Sequence, residues 1–190
     1  ARGRLLRHGE RLGVVLIDEI NRFLPNTQAG FLEVMQERKV TTPHRTWRLP
    51  YFTGIATQNP LETAETYPLP EALRDRFLMT VTMDYPDEAM EREILARPSF
   101  RQMDTTLLQV SPVIAVQELE KTAQVLAEEV HVSEAIREYV HRLVLATRNP
   151  AAYGVPCEGT VVAGVSTRGA LQLIAASQAQ AAWEGRNYVK

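Results

Sequence analysis

Val14-Val15-Leu16-Ile17-Asp18-Glu19 is four apolar residues running straight into two adjacent acids. A short, unbroken apolar run bounded by polar residues is the pattern of a strand buried on both faces of a parallel sheet. The strand is expected over Leu12 to Ile17. In open α/β sheets, ligands bind beyond the carboxyl ends of the strands. Asp18 and Glu19 therefore stand where a site is expected. Two neighbouring carboxylates are costly to bury unless a cation or hydrogen-bond donors compensate them. In one reading Asp18 holds Mg²⁺ through water while Glu19 polarises an attacking water for phosphoryl transfer. In the other they are two solvated acids at a strand exit.

Outward from this stretch the chain falls into two halves of different character. Residues 1–11 carry four Arg and one Glu and read as an irregular or edge segment. After Pro25-Asn26-Thr27, the apolar Phe31, Leu32 and Met35 recur at helical spacing, with Asn26 or Thr27 available as an N-cap. Val40 to Leu49, rich in Thr and broken by Pro43-His44, has the pattern of a β-hairpin. Tyr51 to Thr57 is a second buried strand, ending in Gln58-Asn59 and stopped by Pro60. Pro70 suits the first position of a short helix to about Arg76, and Phe77 to Met83 reads as a third strand. Beyond Pro86 the periodicity is helical. A helix over 87–96 is followed by a linker over 97–112, then by a stripe of Val116, Leu119, Ala123, Leu126 and Val130. Ser133 opens the next helix, with Ile136, Tyr139 or Val140, Leu143 and Thr147 on one face. A Gly- and Pro-containing loop over 149–164 leads to Ser166. That residue caps a long helix through Leu171, Ile174, Gln178 and Ala182, which Gly185 ends. The expected architecture is an α/β half (1–86) followed by an all-α half (87–190).

Composition removes several function classes. The 190 residues are 45% apolar and 23% charged with a net charge of −2, so no bulk field advertises a nucleic-acid partner. The halves are similarly even, with eleven basic and ten acidic residues up to Pro86 and ten and thirteen after it. The longest apolar runs are four or five residues, far short of the roughly 20 that cross a bilayer. No secretory leader is visible. One Cys (Cys157) and four scattered His give no zinc-ligand spacing, and the cytoplasm is the expected setting. Only three residues are Lys, and none follows a Gly. The G-x-x-x-x-G-K-[ST] phosphate-binding loop is therefore absent from these residues.

Three further residues invite a chemical reading. Asn59, at the end of the second strand, could orient the same water or touch a γ-phosphate, or it could simply make the turn before Pro60. Arg76, within Leu73-Arg74-Asp75-Arg76-Phe77, could reach a neighbouring subunit's phosphates, or it could pair locally with Asp75 or stand at a solvated helix end. Arg168, beside the cap of the last helix, has the same two readings.

In combination these features carry a resemblance. The motifs are Leu16-Ile17-Asp18-Glu19-Ile20-Asn21-Arg22, Thr27-Gln28 leading to Leu32-Glu33, and Met35-Gln36-Glu37-Arg38. They continue with Ala56-Thr57-Gln58-Asn59-Pro60, Thr66-Tyr67-Pro68-Leu69-Pro70-Glu71-Ala72 and Asp75-Arg76-Phe77. In this order the chain resembles the MoxR family of AAA+ ATPases, in the clade that includes magnesium chelatase. Ser166-Thr167-Arg168-Gly169-Ala170 and Gly185-Arg186-Asn187-Tyr188-Val189 resemble the family's lid. The resemblance implies a partial AAA+ core over 1–86 and a helical lid over 87–190. It places Asp18 and Glu19 on the Walker B acids and Asn59 on sensor 1. Arg76 falls on the arginine finger, with Arg74 a second candidate, and Arg168 on sensor 2. The hairpin over 40–49 becomes the presensor 1 hairpin. ATP and Mg²⁺ are the implied cofactors, and Asp18 is the residue that would hold the metal through water. The implied assembly is a homo-hexamer with ATP between subunits. It would act on protein substrates in chaperone-like maturation, with a von Willebrand factor A domain protein as partner.

The departure from the family is the missing Walker A loop, which precedes Gly13 by a long stretch in the family. A fragment is therefore expected: the later part of the core plus the lid, inactive alone because no backbone cradle anchors the phosphates. A sheet stripped of a neighbouring strand is expected to dimerise or aggregate through its open edge. Two other functions compete with the motor. The first is an ATP-independent interaction module derived from the same fold. Against it, a pure scaffold has no need of Asp18, Glu19, Asn59, Arg76 and Arg168 together. The second is a nucleic-acid motor, which the even charge opposes.

Overall fold

The computed structural model describes residues 12–59, 65–101, 110–156, 161 and 163–190. The expected irregular start (1–11), Cys157 and parts of the 97–112 and 149–164 segments lie outside the described residues.

Strand β1 (Val14–Ile17) pairs in parallel with β4 (Thr53–Ala56), in the register Val14↔Thr53 to Ile17↔Ala56. Both expected strands are present, each shorter than the apolar run that announced it. Helix α1 (Pro25–Glu37) follows β1. Its N-cap is Leu24, and Pro25 takes the first turn where its missing N–H costs nothing, so Asn26 and Thr27 lie inside the helix and do not cap it. Strands β2 (Lys39–Thr42) and β3 (Arg45–Arg48) form the expected antiparallel hairpin around Pro43-His44.

Ile17, Ile20 and Leu73 are the buried centre of the α/β half, with Phe23, Phe31, Leu32, Met35 and Phe77 packed around them. Leu73 is fully buried and lies on the short helix α2 (Glu71–Arg74). Burying such a side chain is worth about 1.5–3 kcal/mol. That anchor holds α2, and the Arg74–Arg76 stretch after it, against the end of β1.

The third strand expected over Phe77 to Met83 does not form. Phe77 is half-buried in the core, but Leu78, Met79, Val81 and Met83 are exposed. A strand needs a neighbour to take its amides and bury alternate side chains. Among the described residues β1 and β4 pair only with each other, and the segment runs without a ladder.

The helical half contains α3 (Glu88–Ala96), α4 (Val116–Glu129), α5 (Glu134–Arg148) and α6 (Thr167–Trp183). Asp87, Ser133 and Ser166 cap α3, α5 and α6 with side-chain oxygens. A 3-10 turn at Pro98–Arg101 occupies the start of the expected linker, and another at Pro150–Tyr153 the start of the expected loop. The inward faces agree with the expected ones in part, at Val140 and Gln178. On α5 the buried residues are Val140 and Val144, while Tyr139 and Leu143 are exposed. On α6 they are Gln178 and Ala181, while Leu171 is exposed. Gly185 closes α6 with φ +73°, a conformation that Gly adopts without Cβ strain. Among the described residues no helix is long and apolar enough to cross a membrane.

Candidate active site

Because β1 and β4 are parallel and in register, their carboxyl ends open on the same edge. Asp18 and Glu19 leave one strand there, and Thr57, Gln58 and Asn59 leave the other. Thr57 binds the two exits together. Its N–H donates to the Ile17 carbonyl (3.0 Å), and its own carbonyl accepts from the Ile20 N–H (3.0 Å). Its hydroxyl donates to Asp18 Oδ1 (2.6 Å) and accepts from the Glu19 N–H (2.8 Å).

Glu19 is held with φ 50° and ψ 53°, the left-handed region, which costs a residue with a Cβ about 1–2 kcal/mol. Its carboxylate pairs with Arg22 Nε at 3.0 Å, and both side chains are nearly half exposed. Beneath it, the fully buried Gln28 donates to the carbonyls of Ile20 (3.3 Å) and Phe23 (3.1 Å), supporting the tight turn that carries Glu19. Buried Asn21 donates to the Asn59 carbonyl (3.4 Å) and accepts from the Tyr67 N–H (2.7 Å) through its own carbonyl. Asp18, Glu19 and Asn59 are thus brought to one edge, as expected.

The arginine candidates lie elsewhere, and of them only Arg168 reaches Asp75. Arg168 Nη1 lies 2.5 Å from Asp75 Oδ2, and the Ser166 hydroxyl donates to Asp75 Oδ1. Gln172 donates to the carbonyls of Asp75 (3.5 Å) and Arg76 (3.4 Å). Arg76 does not pair with its neighbour Asp75. It folds back onto the Ala72 carbonyl and onto Gln36 Oε1 of α1, and its buried Nε has no partner among the described residues. Arg74 is exposed at the end of α2.

Gly164 admits this junction. A Cβ there would come within 2.6 Å of the Arg148 Cα, so only glycine lets the chain pass α5 closely enough to deliver Ser166. Ionisation is displaced at two exposed positions away from both clusters. Hydrogen bonding to Glu37 raises Lys39, and hydrogen bonding to Gln180 and then Arg186 lowers Glu184.

The donor set bears on a metal. Among the described residues no three His, Cys, Asp or Glu side chains converge to cage an ion. Asp18 is an exposed hard oxygen donor, which suits Mg²⁺ that keeps most of its waters and leans on one carboxylate and a phosphate.

Comparison with known proteins fits this geometry. Residues 7–79 match the model of the ATPase family associated with various cellular activities (AAA), and residues 157–190 match the AAA lid domain. Chaperone MoxR1 of Mycobacterium tuberculosis is 41% identical over 92% of the chain and 45% of its own length. Protein MoxR of Paracoccus denitrificans is 37% identical over 98% of the chain and 57% of its own length. The chain belongs to the MoxR family of AAA+ ATPases. A crystal structure from Cytophaga hutchinsonii, of a protein assigned as an ATPase, superposes with a TM-score of 0.81 at 37% identity, over 94% of the chain and 53% of that structure. The MoxR-family chain therefore has the fold of the later part of an AAA+ α/β core followed by the helical lid. It spans about half the length of the curated relatives it matches.

Two residues of this MoxR-family chain escaped the sequence reading. Thr57 was visible only as part of a motif, because a β-branched residue at a strand end is explained by strand propensity alone. Asp75 registered only as a partner for Arg76. Its true partners are 91 and 93 positions away, a distance no local pattern spans.

Proposed function

We propose that these residues are the hydrolytic half of an ATP-driven machine, with 1–86 its partial core and 87–190 its lid. The observation that carries the reading is the convergence of Asp18, Glu19 and the Thr57-Gln58-Asn59 exit on one strand edge. Glu19, turned outward by its left-handed backbone, polarises the attacking water as the Walker B glutamate. Asn59 orients that water from the neighbouring strand as sensor 1. Asp18 would hold Mg²⁺ through water, and the ion would supply neutralising charge to the substrate phosphates. Phosphoryl transfer needs mainly positioning and cationic stabilisation of spread negative charge. Arg76 supplies that charge to a neighbouring subunit, with Arg74 the second candidate, and Arg168 supplies it from the lid.

The matched relatives are about twice as long, which leaves room for the phosphate-binding loop these residues lack. In the full-length protein we place ATP between subunits of a homo-hexamer. That ring would work in the cytoplasm on protein substrates in chaperone-like maturation, with a von Willebrand factor A domain protein as partner.

ATP turnover by the full-length protein tests this reading. Glu19→Gln is expected to lower turnover at least 100-fold while ATP still binds. Mixed rings of Glu19→Gln and Arg76→Ala subunits are expected to recover part of it, since each supplies what the other lacks. Wild-type rings that assemble but do not hydrolyse ATP would instead favour an ATP-independent interaction module.

A further inference from the structure

We propose that Thr57 is the positioning residue of this site, with its hydroxyl setting Glu19 relative to Asp18. The inference rests on the ATPase reading and deepens it. The direction of both hydroxyl contacts follows from the partners. A backbone N–H can only donate, so Thr57 Oγ1 accepts from Glu19; an ionised carboxylate can only accept, so the hydroxyl hydrogen points to Asp18. One hydroxyl therefore joins the two acids in series.

The backbone of Glu19 is bracketed by the same residue. The N–H preceding its Cα goes to Thr57 Oγ1, and the N–H following it, that of Ile20, goes to the Thr57 carbonyl. These two bonds flank the φ and ψ of Glu19 and hold it in the left-handed region. A strained backbone conformation persists where its surroundings over-determine it. The Ile20 bond and the Thr57 N–H bond to Ile17 use backbone atoms and do not depend on the hydroxyl. The hydroxyl is the part that chemistry can remove. Hydrogen bonds in series polarise one another, so a change of charge around Asp18 is felt at the Glu19 peptide through Oγ1. Thr57 touches neither water nor phosphate in this scheme and acts through its two neighbours.

Thr57→Val keeps the shape and β-branching and removes the hydroxyl, whereas Thr57→Ser keeps the hydroxyl. In the 190-residue chain, amide exchange at Glu19, followed by NMR, is expected to accelerate at least 10-fold in Thr57→Val and to stay near wild type in Thr57→Ser. In the full-length protein, Thr57→Val is expected to lower kcat at least 10-fold and to raise the Mg²⁺ concentration for half-maximal turnover. ATP affinity should stay within about 3-fold of wild type, and Thr57→Ser should restore most of the turnover. If wild type hydrolyses ATP and Thr57→Val does so equally well, the assignment of Thr57 falls alone. It also falls if Ser and Val variants lose turnover equally. If wild type does not hydrolyse ATP, the ATPase reading falls and this assignment falls with it.

Discussion

At the scale of the residue, conformation and chemistry compete at position 19. A glutamate in the left-handed region carries a Cβ that crowds the backbone, and glycine would not. Glu19→Ala and Glu19→Gly both lose the carboxylate and its exposed pairing with Arg22, so the difference between them isolates the backbone term. Unfolding by urea is expected to show the glycine variant more stable than the alanine variant by about 1 kcal/mol. Equal stabilities would mean that residue 19 is not left-handed in solution. Asp75 offers a second residue-level test. Its pair with Arg168 is 45% exposed on the arginine side, so solvent screens it. A double-mutant cycle with Asp75→Asn and Arg168→Gln is expected to give a coupling of about 0.5–1 kcal/mol. No coupling would mean that the ion pair adds nothing to the junction, leaving Ser166 and Gln172 to hold it.

Among the elements, the lid is held by an unusual core residue. Gln178, buried on α6, donates to the carbonyls of Leu126 (3.5 Å), Ala127 (3.3 Å) and Val130 (2.8 Å). All three lie at the carboxyl end of α4; Leu126 also accepts from the Val130 N–H (3.1 Å), whereas Ala127 and Val130 lie past the last intrahelical donor. Gln178→Leu fits the volume but strands the Ala127 and Val130 carbonyls, and is expected to cost about 1–3 kcal/mol in unfolding free energy. A neutral substitution would show that water reaches them. The same residue explains part of what was legible in advance. Periodicity placed Gln178 on the inner face of α6 but ranked Leu171 and Ala182 beside it, because hydropathy cannot foresee a buried amide that caps another helix. Helix existence and the Ser133 and Ser166 caps were readable because they depend on residues within one turn. The strand over 77–83 was not, because its apolar run satisfies the pattern while pairing depends on a neighbour that the pattern does not contain.

For the whole molecule, the uncovered side of the sheet dominates. Val14 and Leu16 of β1 and Ile55 of β4 are each more than half exposed, although alternate residues on the same strands pack into the core. Exposed apolar surface beside an open strand edge favours association. The 190-residue chain is expected to self-associate at micromolar concentration in light scattering, and Leu16→Lys to reduce it. A monodisperse wild-type monomer at high concentration would contradict this. At this scale, too, the site was only half legible. The strand-end acids and Asn59 follow from sheet topology, whereas the Asp75 junction joins two halves whose sequences carry no sign of each other.

That junction gives the lid the mechanics of a lever. Helix α6 starts at Asp75, through Ser166, Arg168 and Gln172, and its seventeen residues extend about 25 Å from that fulcrum. The Gln178 bonds and the bridge between His131 and Tyr188 fasten α4 and the tail to it, so any swing of the arm would carry its neighbours with it. A tilt of about 10° at Asp75 would carry the far end of the arm about 4 Å. Trp183 stands at that far end, 88% exposed, where the smallest turn at the pivot becomes the largest stroke.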